Sequence, residues 1–169
     1  MLNKEKIKTL VDKNNLIENY INLDKQLTPN GFDLTLADIF EFKTPGALDF
    51  SNKERVVPEG KKLMPEKKNQ QDKFGWWNLK KGTYRVRTNE TVNMPNDLTA
   101  LAFSRTSLMR MGAYTVHGVW DAGFCGRSEF ILTVQNPEGI SLKQNARIAQ
   151  LVFFVTDETE GYNGIYQEK

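Results

Sequence analysis

Apolar residues recur at helical spacing at Ile7, Leu10 and Val11, and Asn3 stands where a helix N-cap belongs. This predicts a short amphipathic helix over residues 3–13. The period then changes to two. Residues 17–23 (I-E-N-Y-I-N-L) alternate loosely, as a strand does. After the turn signal Pro29-Asn30-Gly31, Phe32, Leu34 and Leu36 alternate with Asp33, Thr35 and Ala37, which predicts a half-buried strand with Asp33 near its start. The pattern lapses over 44–75, where lysine, glycine and proline cluster. That span reads as a hairpin or surface excursion of weak structure, its charges a solvated face. From Trp76 the chain is all β. Tyr84 and Val86 alternate with Arg85 and Arg87, and Val92, Met94 and Leu98 continue the apolar set. Turn signals fall at Lys81-Gly82, Pro95-Asn96, Pro137-Glu138-Gly139 and Gln144-Asn145. Short strands between such turns point to a sandwich or barrel. The strongest strands are 129–135 and 147–155, and the polar stretch 157–169 reads as a mobile tail.

Composition narrows the function classes. At 169 residues the chain reads as a single domain, 1–169, large enough for a core without a disulfide or metal staple. A net charge of +2 implies no polyanion-binding surface, so nucleic acid is not an expected partner. Cys125 and His117 are the only residues of their kinds, which excludes a disulfide framework and leaves zinc without ligands. No apolar run approaches the roughly 20 residues that span a bilayer. The first residues lack the apolar core of a signal peptide, so the expected location is cytoplasmic, with no membrane partner.

Candidate chemistry concentrates between Ser104 and Arg127. Arg105, Thr106, Ser107 and Arg110 combine guanidinium forks with hydroxyl donors, a set suited to phosphate. The same residues also suit a capped surface helix with solvated arginines. Asp121 follows a β run and is set among glycines 118, 123 and 126. It fits either a turn former or a general base that orients water. Asp33 reads as an Asx-type turn residue or a ligand contact. Gln150, polar in an apolar strand, faces solvent or holds a specific partner.

Four segments in order resemble motifs of the dUTPase and dCTP deaminase superfamily: N-G-F-D-L, S-R-T-S-L, G-V-W-D-A-G-F-C-G and N-A-R-I-A-Q-L-V-F. The N-terminal helix, the second arginine in R-T-S-L-M-R-M-G, the D-A-G-F turn and the closing Y-N-G-I-Y-Q lean toward the deaminase branch. The glycine-rich fifth dUTPase motif is absent. The chain thus resembles archaeal-type dUTPases built on the deaminase framework. The resemblance implies a mostly β, distorted, jelly-roll-like barrel with an N-terminal helix, assembled as a homotrimer with sites between subunits. It implies dUTP as substrate and Mg2+ as cofactor. Asp121 would activate water against the α-phosphorus, giving dUMP and pyrophosphate. Arg105, Thr106, Ser107, Arg110 and Gln150 would hold phosphate. Val116, His117, Gly118 and Val119 would read the base and Phe124 would stack under the sugar. Tyr162, Tyr166 and Gln167 would close as a lid, and Asp33 would contact metal-bound water.

Departures accompany the matches. Ser104 stands for the usual proline, His117 for a small residue, and Trp120 for an aliphatic one. Deaminases of this superfamily carry a proton-shuttling glutamate ten residues after the motif-three aspartate. Here that position is Ile131, and Glu129 sits two residues earlier, on the same strand face but about 6–7 Å away. The apolar residue matches the dUTPase pattern. The alternatives are a dCTP deaminase or bifunctional enzyme with Glu129 standing in, and a non-catalytic nucleotide-sensing module.

Overall fold

The computed structural model describes residues 1–167; positions 168 and 169, the end of the expected tail, lie outside the described residues. Helix α1 spans Lys4–Asn14. The Asn3 side chain accepts from the Lys6 N–H at 3.1 Å, Ile7 and Val11 are buried, and Asn15 ends the helix in the left-handed region. The strand expected at 17–23 is shorter than its alternation suggests. Only Ile17–Glu18 (β1) pairs; Asn19 turns away at φ 58, and Asn22 caps the short helix α2, Leu23–Gln26. Two asparagines break an alternation that the apolar residues alone would extend.

Strands β2 (Leu27–Thr28) and β3 (Gly31–Phe42) form a tight hairpin across the predicted turn. β3 is not half-buried. Both its faces are covered from Gly31 to Leu36, because β3 is a central strand beneath α1, and its polar residues Asp33 and Thr35 are only 1% exposed. The span 44–75 that follows contains β4 (Gly60–Leu63), paired with the end of β3, and an Ala47–Val56 bridge. Then come β5 (Trp76–Leu79), β6 (Gly82–Asn93), β7 (Leu98–Ser104), helix α3 (Thr106–Arg110), β8 (Ala113–Val116), β9 (Cys125–Val134), β10 (Ile140–Lys143) and β11 (Arg147–Val155).

The main sheet runs β7-β11-β3-β6-β9-β8 with antiparallel neighbours, while β5 and β10 form a separate ribbon. Its inner face carries Phe32, Leu34, Val86, Leu132, Ile148, Leu151 and Phe153, each at most 1% exposed. Burying each such side chain contributes about 1.5–3 kcal/mol. The two end strands nearly meet, which makes the sheet barrel-like. Ser104 Oγ accepts from the Thr115 N–H at 2.8 Å, and Ala100 and Trp120 exchange backbone hydrogen bonds of 3.0 Å. The Trp120 ring is buried and donates through Nε1 to Ser128 Oγ at 2.8 Å. Ser104 through its hydroxyl and Trp120 through its backbone are thus the two departures from the resembling motifs that draw these edges together. A proline at 104 could not supply the hydroxyl.

Candidate active site

Sequence-predicted site residues fall into three groups. The first gathers where β3 begins, β7 ends and β11 begins. Asp33 pairs across the ladder with Gln150, and Gln150 with Phe103. Arg105 Nε lies 3.0 Å from Asp33 Oδ2, and Arg147 Nη1 reaches the same oxygen at 3.2 Å. Burial pushes the Asp33 carboxyl up, and the two guanidiniums pull it back only part of the way. Arg147 Nη1 also donates to the Lys25 carbonyl, which ties α2 to the cluster. Arg105 Nη1 also donates to the Arg147 carbonyl at 3.4 Å, so Asp33 and that carbonyl fix two guanidinium forks beside one another. The Gln150 amide donates to Thr28 Oγ1 at 2.7 Å. A Cβ at Gly31 would lie 2.1 Å from the Leu151 carbonyl and 2.9 Å from Gln150 Nε2, so the N-G-F-D-L glycine permits this close approach. Thr106, Ser107 and Arg110 are exposed on α3, which buried Leu108 anchors. The Arg147–Asp33 pairing joins two strands distant in sequence, so no local pattern signals it.

The second group lines a cleft of about 360 Å3. Thr115 to Val119 form one wall and Leu101 to Phe103 of β7 the other. The His117 ring turns inward, 4.4 Å from Phe130 and 5.8 Å from Trp120 between centroids. Its Nε2 is buried with no hydrogen-bond partner among the described residues. Burial lowers its pKa to about 4, so the ring is neutral at pH 7. His117 therefore packs behind the hairpin, and Val116, Gly118 and Val119 are its exposed positions.

The third group is the turn after Trp120 with the tail upon it. Asp121 is exposed, and its carbonyl accepts from the Phe124 N–H. Tyr162 N–H donates to the Ala122 carbonyl at 2.7 Å, and its ring meets Phe124 edge-on at 5.7 Å. The Gln167 amide donates to the Gly123 carbonyl at 3.0 Å and accepts from the Cys125 N–H at 3.1 Å. Arg55, in the span 44–75, lies 6.0 Å over the Tyr166 ring. Tyr162, Tyr166 and Gln167 are thus brought to the Asp121 turn.

The first and third groups stand at opposite ends of β7. Trp120 bonds Ala100, while Arg105 follows Ser104. Five residues of strand separate the two by roughly 16 Å. Asp121 and Arg105 of one chain therefore lie toward opposite ends of this strand rather than side by side. On β9, Ile131 is 37% exposed and sits opposite Val116; Glu129 faces the same side, its carboxylate 3.5 Å from Arg85 Nε. No carboxylate occupies position 131. Among the described residues no three His, Cys, Asp or Glu side chains cluster as a metal site, and Asp33 already serves two arginines. Among the described residues, then, the side chains by themselves do not make a metal site.

The fold places the chain in a structural class. It superposes on 2'-deoxycytidine 5'-triphosphate deaminase from Agrobacterium tumefaciens with a TM-score of 0.62 at 19% identity, over 91% of this chain and 47% of that one. The pattern of the dCTP deaminase-like family matches residues 1–156, and the chain belongs to that family. Within it, a probable deoxyuridine 5'-triphosphate nucleotidohydrolase of Methanosarcina mazei is 44% identical, covering all of this chain and 97% of that protein. One of the same description from Methanococcoides burtonii is 43% identical, covering 100% and 98%.

Proposed function

We propose that this chain is a dUTP diphosphatase that hydrolyses dUTP to dUMP and pyrophosphate. The observation that carries the reading is Ile131, apolar and exposed beside the hairpin, where deamination would need a carboxylate. Whole-length likeness to the archaeal nucleotidohydrolases points the same way. Asp121 takes a proton from the water that attacks the α-phosphorus; the bond from that phosphorus to the bridging oxygen breaks, and pyrophosphate leaves. Arg105, Thr106, Ser107 and Arg110, with Gln150 nearby, hold the phosphates and offset the charge that grows on them. Val116, Gly118 and Val119 offer backbone groups to uracil, with His117 behind them. Phe124 packs under the deoxyribose, and Tyr162, Tyr166 and Gln167 cover the nucleotide. Mg2+, bound by the triphosphate oxygens, would supply charge neutralisation there, beside the donors of Arg105, Thr106, Ser107 and Arg110.

Separation along β7 supports a site built between subunits, with Asp121 of one copy facing Arg105 of the next, as in a homotrimer. Exposed Leu101, Phe103, Tyr114 and Val116 give that assembly an apolar face. Neither a nucleic acid nor a membrane takes part, and the reaction belongs in the cytoplasm.

Asp121→Asn tests the reading. Turnover of dUTP is expected to fall about 100- to 10,000-fold with binding of a non-hydrolysable analogue retained. Undiminished turnover refutes Asp121 as the base. Release of ammonia from dCTP by the wild-type protein refutes the assignment at Ile131, and a monomer by sedimentation refutes the shared site.

A further inference from the structure

We propose that Glu90, a carboxylate outside the three groups above, is a positioning residue for the phosphate grip: it sets the stretch of β3 that carries Asp33, and Asp33 aims Arg105 and Arg147. The inference rests on the proposed function for its substrate and on the geometry for its mechanism. The β3–β6 ladder ends at Leu36–Thr88, and β6 then bulges between Arg87 and Thr91 on its β9 side. Residues 33 and 35 consequently have no β6 backbone opposite them. Side chains take over. Glu90 Oε2 accepts from the Thr35 N–H at 2.9 Å, and Oε1 accepts from Gln26 Nε2 at 2.8 Å and from the Thr35 hydroxyl. The second Gln26 amide hydrogen goes to the Asp33 carbonyl at 2.9 Å. Gln26 Oε1 accepts the Ile21 and Asn22 N–H groups, so the α2 loop is fixed in the same bridge. Arg147, which holds both the Lys25 carbonyl and Asp33, is thereby set from two sides.

Donor count decides the residue type. Three hydrogens converge on Glu90, and only a carboxylate offers two oxygens and no hydrogen. Burial pushes its carboxyl up, against the pull of these donors. Both Gln26 and Glu90 are at most 1% exposed, so a glutamine at 90 would set an N–H group against a donor with no water to relieve it. The strand must then shift at Thr35 and Asp33, and both guanidiniums shift with it.

The test compares full-length wild type, Glu90→Gln and Phe153→Leu, the last a core control at the far end of β11. The readouts are melting temperature, calorimetric affinity for inorganic triphosphate, and KM and kcat for dUTP. Glu90→Gln is expected to weaken triphosphate about 10- to 100-fold and raise KM in step, with a smaller change in kcat. Phe153→Leu should lower the melting temperature without that loss. Affinity within twofold of wild type in Glu90→Gln overturns the inference. If that variant does not fold, Thr35→Val, which keeps the backbone N–H, should weaken triphosphate about 3- to 10-fold, and no change there overturns it equally. Wild-type protein that binds triphosphate yet leaves dUTP intact refutes the proposed function alone; wild-type protein that does not bind triphosphate refutes both.

Discussion

Replacing His117 by phenylalanine should make the protein less sensitive to acid. The imidazole sits neutral against Phe130 and Trp120, its pKa lowered to about 4 by burial, while in the unfolded chain it titrates near 6.5. The unfolded state therefore binds the extra proton first. His117 contributes full stability above pH 6.5 and loses it progressively as the pH falls toward 4. At about 1.36 kcal/mol per pH unit, the gap is worth at most about 3 kcal/mol; because water reaches part of the ring, about 2 kcal/mol is the working figure. Phenylalanine keeps a ring in the same packing and removes the proton site. It also removes the buried Nε2 that has no partner among the described residues, a group that costs about 1–3 kcal/mol when unmet. Urea unfolding between pH 4.5 and 8 measures the effect. The stability difference between variant and wild type should be flat above pH 7 and grow in the variant's favour below pH 6.5. Taking the difference cancels the opposite contributions of Asp33 and Glu90, whose raised carboxyl pKa values stabilise on the acid side. Parallel pH profiles would refute the assignment of a buried neutral imidazole.

Ser104→Ala removes the hydroxyl that accepts the Thr115 N–H and bonds Thr115 Oγ1, so it should cost about 1–3 kcal/mol in urea unfolding and loosen the β7–β8 closure. Gly123→Ala places a Cβ 2.7 Å from the Gly161 Cα and 2.9 Å from the Tyr162 nitrogen, at φ +77. It should displace the tail from the Asp121 turn, raising KM for dUTP several-fold while the barrel's melting temperature moves little; an unchanged KM counts against a lid role for the tail.

The four motifs were legible because each is local: a turn glycine, a hydroxyl–arginine cluster, an aspartate among glycines, and an alternating strand. What they do to one another was not. Asp33 read as a turn residue or ligand contact, yet it is the buried anchor of two arginines. Arg147 meets its partner only across another strand, and by pattern alone a glutamate in a polar run such as Glu90 is indistinguishable from a solvated one. His117 read as a possible base contact, but its ring faces the core. The strand over-extended at 17–23 failed because asparagine turns and caps outweigh weak alternation.

The sequence by itself determined the β period, the N-terminal helix with its cap, the turn positions and the order of the site segments. Each of these follows from neighbouring residues, whose spacing sets which side chains share a face. Tertiary structure alone decided that β3 is buried on both faces, that Ser104 and Trp120 draw the sheet's two edges together, and that Asp121 and Arg105 stand toward opposite ends of β7. Those outcomes depend on which strands lie side by side and in what register. Register arises from long-range pairing and from bulges such as those at Leu36–Asp38 and Arg87–Thr91, which no local pattern encodes.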